Sequence, residues 1–182
     1  MKHIIIAGAP RSGKTTISRE LTAFSGCVHY RLDSIKRAVF DIFCPGKKDW
    51  HFASQMTVKI IEKLVDDNNL ESTRKEYFIF DTPHLYPEDV IKLDLHEFII
   101  VFIGYTSIDT DKKVDSIIKY DAQTCWTQQL SREKLKSLVE GNIAFSKEIK
   151  SQCEKYGIPY FDVSENHIQV LDEVKNYVKN NL

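Results

Sequence analysis

Residues 8–15 read Gly8-Ala9-Pro10-Arg11-Ser12-Gly13-Lys14-Thr15, a complete G-x-x-x-x-G-K-[ST] spacing. No other feature of the chain narrows its fold as much. Gly8 and Gly13 let the backbone turn tightly, so that successive N–H groups point inward at phosphate oxygens. Lys14 reaches the β- and γ-phosphates of a nucleotide, and the Thr15 hydroxyl ligates Mg²⁺. The flanks suit this purpose. Lys2 to Ala7 predicts a short buried strand leading in, and Thr16 to Leu21 predicts a helix leading out, with its positive dipole end facing the anion. The expected cradle is Gly8, Ala9, Pro10, Arg11, Ser12, Gly13, Lys14, Thr15 and Thr16. An ordinary turn followed by a surface lysine would need neither the strand nor the helix.

A length of 182 residues is ample for one core, so a single domain is expected over 1–182. Apolar content of 42% and charged content of 28% are ordinary for a soluble globular chain. A net charge of −1 argues against nucleic acid and against an anionic membrane surface as partner. No apolar run is long enough to span a bilayer, and the Ile4–Ile6 start is no secretory signal, which together predict a cytoplasmic protein. Cys27, Cys44, Cys125 and Cys153 never form a C-x-x-C pair, and the histidines show no metal-ligand spacing beside them. Free thiols are expected.

Apolar runs alternate with helical patterns, the signature of a parallel sheet with crossover helices. Strands are predicted over Ile4–Ala7, Val28–Leu32, Tyr77–Phe80, Phe98–Ile103 and Pro159–Phe161. Helices are predicted over Thr15–Phe24, Ser34–Phe40, Phe52–Asp67, Asp111–Lys119, Arg132–Lys155 and Ile168–Lys179, with Gly157 as a stop after the fifth. Two segments resist the scheme: Asp41–His51, with Pro45, Gly46, Lys47 and Lys48, reads as an irregular loop, and Asp121–Gln129 is polar and weakly periodic. In a nucleotide-binding α/β fold, such excursions are where lids live, so a short lid is expected at about 120–132. A plain connector is the alternative.

Four side chains complete the expected site. Asp33 closes the second strand candidate, and carboxyl ends of parallel strands face the ligand crevice. It reads either as the acceptor of a hydroxyl proton during phosphoryl transfer or as the N-cap of the next helix. Arg37, four residues later on the same face, would hold an anionic substrate group or be a solvated arginine. Asp81 closes Tyr77-Phe78-Ile79-Phe80-Asp81, and an apolar strand ending in aspartate is the usual second metal holder of such a site. Arginines are few, and Arg132, just after the expected lid, is the candidate for catalytic stabilisation of a transferring phosphoryl group. Trp50 and Trp126 fall in loop candidates and read as packing residues or as stacking surfaces for a base.

On these residues the chain resembles the nucleoside monophosphate kinase-like branch of P-loop proteins, which includes adenylate, shikimate and gluconate kinases, polynucleotide 5′-kinases and zeta-type toxins. The carriers are Gly8-x-Pro10-x-Ser12-Gly13-Lys14-Thr15, Asp33-x-x-x-Arg37, Phe80-Asp81-Thr82-Pro83-His84 and Gly157 to Ser164. The resemblance implies a P-loop three-layer α/β fold, with a five-stranded parallel sheet and helices on both faces. It implies ATP and Mg²⁺ as cofactors, with Thr15 and Asp81 on the metal. It also implies a kinase acting on a small-molecule acceptor (nucleotide, nucleoside or other hydroxylated metabolite), held by Asp33, Arg37 and His84. His84 stands where adenylate kinases carry a phosphate-binding arginine, and no Asn-Lys-x-Asp guanine motif occurs, which leaves ATP as donor. A polynucleotide or toxin-like kinase and a non-catalytic ATP-binding regulatory module are the alternatives.

Overall fold

The computed structural model describes residues 1–43, 49–71, 75–83, 85–123 and 125–182. Five strands form one sheet: β1 (His3–Gly8), β2 (Val28–Arg31), β3 (Phe78–Pro83), β4 (Phe98–Gly104) and β5 (Tyr160–Asp162). Their order is β2-β3-β1-β4-β5, with every neighbouring pair parallel. The connecting helices are α1 (Lys14–Ser25), α2 (Leu32–Phe43), α3 (Trp50–Glu71), α4 (Pro87–Val90), α5 (Thr110–Tyr120), α6 (Arg132–Tyr156) and α7 (His167–Asn181). All five expected strands and all six expected helices are present. The short α4, with Pro87 at its start, and the 3₁₀ turns Leu95–Glu97 and Trp126–Gln129 were not anticipated.

The two-residue period of the strands divides the core between the two faces of the sheet. Ile4, Ile6, Ile79, Ile99, Val101 and Ile103 pack on one side against Ile17 and Leu21 of α1, Val114 of α5 and Val174 of α7. Ile5, Ala7, Phe78, Phe80, Phe98 and Phe102 pack on the other against Leu32 of α2 and Val58, Ile61 and Val65 of α3. Helix α6 serves both clusters, through Leu135 and Val139 near its start and Ile149 and Cys153 near its end. All six residues of β1 are buried, as suits a central strand, whereas β2 at the sheet edge is exposed or half-buried.

Several boundaries differ from the sequence reading: Asp81 does not close its strand, since β3 runs on to Pro83, and two helices start earlier than expected. Leu32 opens α2 rather than closing β2, because its side chain is a buried member of the aromatic-rich cluster under that helix. Asp33 is therefore the second residue of a helix, not the end of a strand. Trp50 begins α3 instead of lying in a loop, since Asp49 accepts from the Phe52 amide at 3.0 Å and starts the helix there. The loop residues Pro45, Gly46, Lys47 and Lys48, together with Cys44 and His84, lie outside the described residues.

Candidate active site

Parallel register brings the site residues to one end of the sheet. Ile6 of β1 and Arg31 of β2 both pair with Asp81, and Gly8 pairs with Pro83. The loop after β1, the end of β3 and the first turn of α2 therefore adjoin.

The loop is fixed by close contacts that only glycine permits. Gly8 has φ +121°, and a Cβ there would stand 2.1 Å from the Ile103 carbonyl oxygen of the neighbouring strand. The Ala9 amide donates to that same oxygen at 3.0 Å. Gly13 has φ +98°, and a Cβ would meet Leu171 of α7 at 2.8 Å. Three successive loop carbonyls are taken: Ala9 O by Lys14 Nζ at 2.6 Å, Pro10 O by the Tyr105 hydroxyl at 2.9 Å, and Arg11 O by Lys113 Nζ at 2.9 Å. With those carbonyls engaged, the loop amides and the partnerless first-turn amides of α1 remain for an anion. The Ser12 hydroxyl is buried without a hydrogen-bond partner among the described residues, one more donor that an anion would satisfy.

Lys14 is only 6% exposed. Burial pulls its pKa down to about 8, against the opposing pull of Asp81 and Asp33. No carboxylate forms an ion pair with it among the described residues; its bonded partner is a carbonyl. Next to it, Thr15 donates to Asp81 Oδ2 at 2.6 Å. Burial favours the protonated Asp81 carboxyl, but His29, Thr15 and Lys14 outweigh that and hold it below the usual carboxylate range. His29 reaches Asp81 at 3.7 Å, longer than a hydrogen bond, and was not identified from sequence because nothing in its local pattern sets it apart.

Asp33 lies across the crevice, a third exposed. It is paired with Arg37 at 2.7 Å and with Lys36 at 3.4 Å. Lys36 is buried, and sequence reasoning passed over it because lysines on helices are usually solvated.

The polar segment after α5 meets the loop through Arg11. This residue has φ +62°, a left-handed backbone that costs a non-glycine residue about 1 kcal/mol or more. Its guanidinium donates to Asp121 at 2.8 Å, to the Cys125 sulfur at 2.7 Å and to Thr127 at 3.3 Å. Burial acts to raise the Cys125 thiol, but hydrogen bonds from Thr127 and Arg11 hold it below its usual value. Arg132, by contrast, is engaged by Asp115 at 2.6 Å and Asp111 at 3.2 Å on the exposed face of α5, and no polar contact joins it to the loop among the described residues. At the ends of β4 and β5, Asp162 accepts from the Ser164 amide at 3.1 Å, while Ser164 Oγ accepts from the Thr106 and Ser107 amides at 2.9 and 3.0 Å. Trp126 opens the 3₁₀ turn and is half exposed.

Cys27, Cys125 and Cys153 are free thiols, and no metal-binding group of His, Cys, Asp and Glu occurs among the described residues. No helix among them is long and apolar enough to cross a membrane.

No protein-family model matches the sequence, and no curated protein resembles it closely enough to be matched. Solved structures do match. A gluconokinase from Sinorhizobium meliloti 1021 aligns over 99% of this chain and 97% of its own, with TM-score 0.57 and 11% identity. A shikimate kinase from Bacteroides thetaiotaomicron aligns over 98% of each chain, with TM-score 0.59 and 12% identity. The shikimate kinase from Aquifex aeolicus vf5 covers 98% of this chain and 97% of its own, with TM-score 0.53 and 15% identity. Over nearly its whole length, this chain has the P-loop fold of gluconokinase and shikimate kinase.

Proposed function

We propose that this protein is an ATP-dependent kinase that phosphorylates a small-molecule acceptor bearing a hydroxyl group. The observation that carries this reading is the buried ammonium of Lys14, bonded to a carbonyl and ion-paired to no described carboxylate, in a loop with three successive carbonyls already engaged. A buried cation with no carboxylate in direct contact is costly, and triphosphate oxygens would supply that contact. All three solved kinases named above share the fold, which supports the same reading.

Thr15 and Asp81 offer an all-oxygen donor pair, already adjoining at 2.6 Å, which suits a hard divalent cation. They would hold Mg²⁺, which when bound neutralises charge on the phosphates. Gly8 to Thr16 would wrap the triphosphate, and Lys14 would balance the charge that builds on the β- and γ-phosphates. Asp33 would take the proton of the acceptor hydroxyl as that oxygen bonds to the γ-phosphorus and the bond to ADP breaks. Arg37 and His84 are proposed to help hold the acceptor. Closure of the segment at 120–132 would exclude water, with Arg11 as its hinge contact to the loop. Arg132 would reach the transferring group only after releasing Asp111 and Asp115.

ADP release from Mg-ATP, followed across gluconate, shikimate, nucleosides and nucleoside monophosphates, tests the proposal. At least one acceptor is expected to stimulate release tenfold or more. Absence of Mg-ATP binding would overturn the reading.

A further inference from the structure

Pro10 removes one donor from the loop after β1 and leaves two to be aimed. The peptide between Ala9 and Pro10 has no N–H. The next two peptides carry the Arg11 and Ser12 amides, and neither donates to a described residue. No described peptide is cis, so each of these N–H groups points opposite to the carbonyl of its own peptide. The Pro10 carbonyl is held by the Tyr105 hydroxyl and the Arg11 carbonyl by Lys113 Nζ, both at 2.9 Å. Two side chains from outside the loop thus set the direction of its two amides.

Both holders are themselves fixed. Tyr105 follows β4 and is wholly buried, and its own amide donates to Ser146 Oγ of α6 at 3.1 Å. Burial pushes its phenol up to about 12, so the hydroxyl keeps the proton that it donates. Lys113 is a buried lysine of α5, with Nζ 4.8 Å from the centre of the Tyr105 ring. One ring therefore seats the ammonium on its face and bonds the preceding carbonyl at its tip. Arg11 needs such support because side chains disfavour its left-handed backbone. Rotation of the Arg11–Ser12 peptide would put its carbonyl where its amide stands.

We propose that Tyr105 and Lys113 are positioning residues for the donor triphosphate, Tyr105 aiming the Arg11 amide at it and Lys113 the Ser12 amide. This rests on the ATP-dependent reading above and extends it to two residues outside the loop motif. Neither side chain touches the nucleotide on this account; each acts through one peptide of the loop.

Calorimetric titration with Mg-AMPPNP, with amide NMR spectra of the same samples, tests it. In wild type, bound nucleotide should move the Arg11 and Ser12 amide protons downfield, as hydrogen bonds to phosphate do. Tyr105→Phe deletes one hydroxyl and no charge; it should bind about threefold to tenfold more weakly and lose most of the shift at Arg11. Lys113→Met should weaken binding by a similar factor and lose the shift at Ser12. Exposed Lys112→Met removes the same charge one residue away and should bind as wild type does. Melting of the nucleotide-free proteins certifies their folds, and Tyr105→Phe alone decides if Lys113→Met does not fold. Wild-type affinity in the folded variants, or weaker binding with both downfield shifts intact, overturns the inference while leaving the nucleotide reading standing. A loss in Lys112→Met equal to that in Lys113→Met would make the effect one of charge alone and overturn the role of Lys113. Failure of wild type to bind Mg-AMPPNP overturns the nucleotide reading, and the inference with it.

Discussion

The two walls of the crevice are built by opposite means. The wall proposed for the donor follows β1, a central strand with every residue buried, and its loop is locked by glycine contacts and side-chain bonds to three successive carbonyls. The wall proposed for the acceptor follows β2, a four-residue edge strand, and carries Asp33, Lys36 and Arg37 on the first turns of one helix. On the proposed reading, a loop over-determined by its surroundings would recognise one chemistry, the polyphosphate. Side chains on an edge element can be exchanged without disturbing the sheet, so this is where acceptor identity is free to vary.

Lys14→Ala is the strongest way to sharpen that contrast. Loss of the one charge aimed at the β/γ-phosphates should lower turnover by roughly a thousandfold. Steady-state ADP release measures it, and a loss below tenfold would mean that the donor wall is not the seat of catalysis.

Asp33→Asn comes next, on the opposite wall. It preserves shape but cannot take a proton, so turnover should fall by about a hundredfold while ATP affinity barely changes. Unchanged turnover would make Asp33 a helix-terminal residue only and would favour a nucleotide-binding module without transfer.

The pH dependence of nucleotide binding isolates the donor wall. Lys14 titrates in the free protein at about 8, below its ordinary 10.5. Phosphates bind the protonated form, so ATP affinity should be nearly full at about pH 7 and about tenfold weaker at about pH 9. The same shift works the other way on stability. Between about pH 8 and 10.5 the unfolded chain holds the proton that the folded one has released, so the nucleotide-free protein gains stability from this group as pH rises. Calorimetric ATP titrations at pH 7 and 9 decide the matter, and Lys14→Ala should flatten the difference.

Arg132→Ala should have the smallest effect. Its ion pairs with Asp111 and Asp115 are exposed, and such pairs are screened by solvent and contribute little. Turnover with an identified acceptor should stay within about threefold of wild type. A tenfold loss would show that closure recruits Arg132 to the transferring phosphoryl group and that the lid belongs to the donor wall.

Much of the donor wall was legible because its signals are local. The spacing of Gly8, Gly13, Lys14 and Thr15 dictates a turn and a helix start within eight residues, whatever lies elsewhere in the chain. Asp81 was legible because an apolar run leads into it, although β3 continues past it to Pro83, and the parallel sheet because Ile- and Phe-rich runs alternate with helical periods. The start of α2 was read two residues late, since only the packing of Leu32 beneath the helix reveals where the strand stops.

What tertiary structure alone decided is how residues far apart in sequence share charge and space. Arg11 reaches Asp121, Cys125 and Thr127 more than a hundred residues away, and its left-handed backbone is sustained by those contacts. Arg132, placed by sequence at the edge of a lid, is held by acids of α5 that no spacing rule connects to it. Lys36 is the sharpest case. In the sequence it is one helical lysine among many, and only the packing of α2 against β3 and the Trp50 ring takes its ammonium out of water. Backbone conformation follows from neighbours along the chain, and this chain states it openly. Burial and electrostatic pairing depend on neighbours in space, and those exist only once the sheet and its helices have assembled.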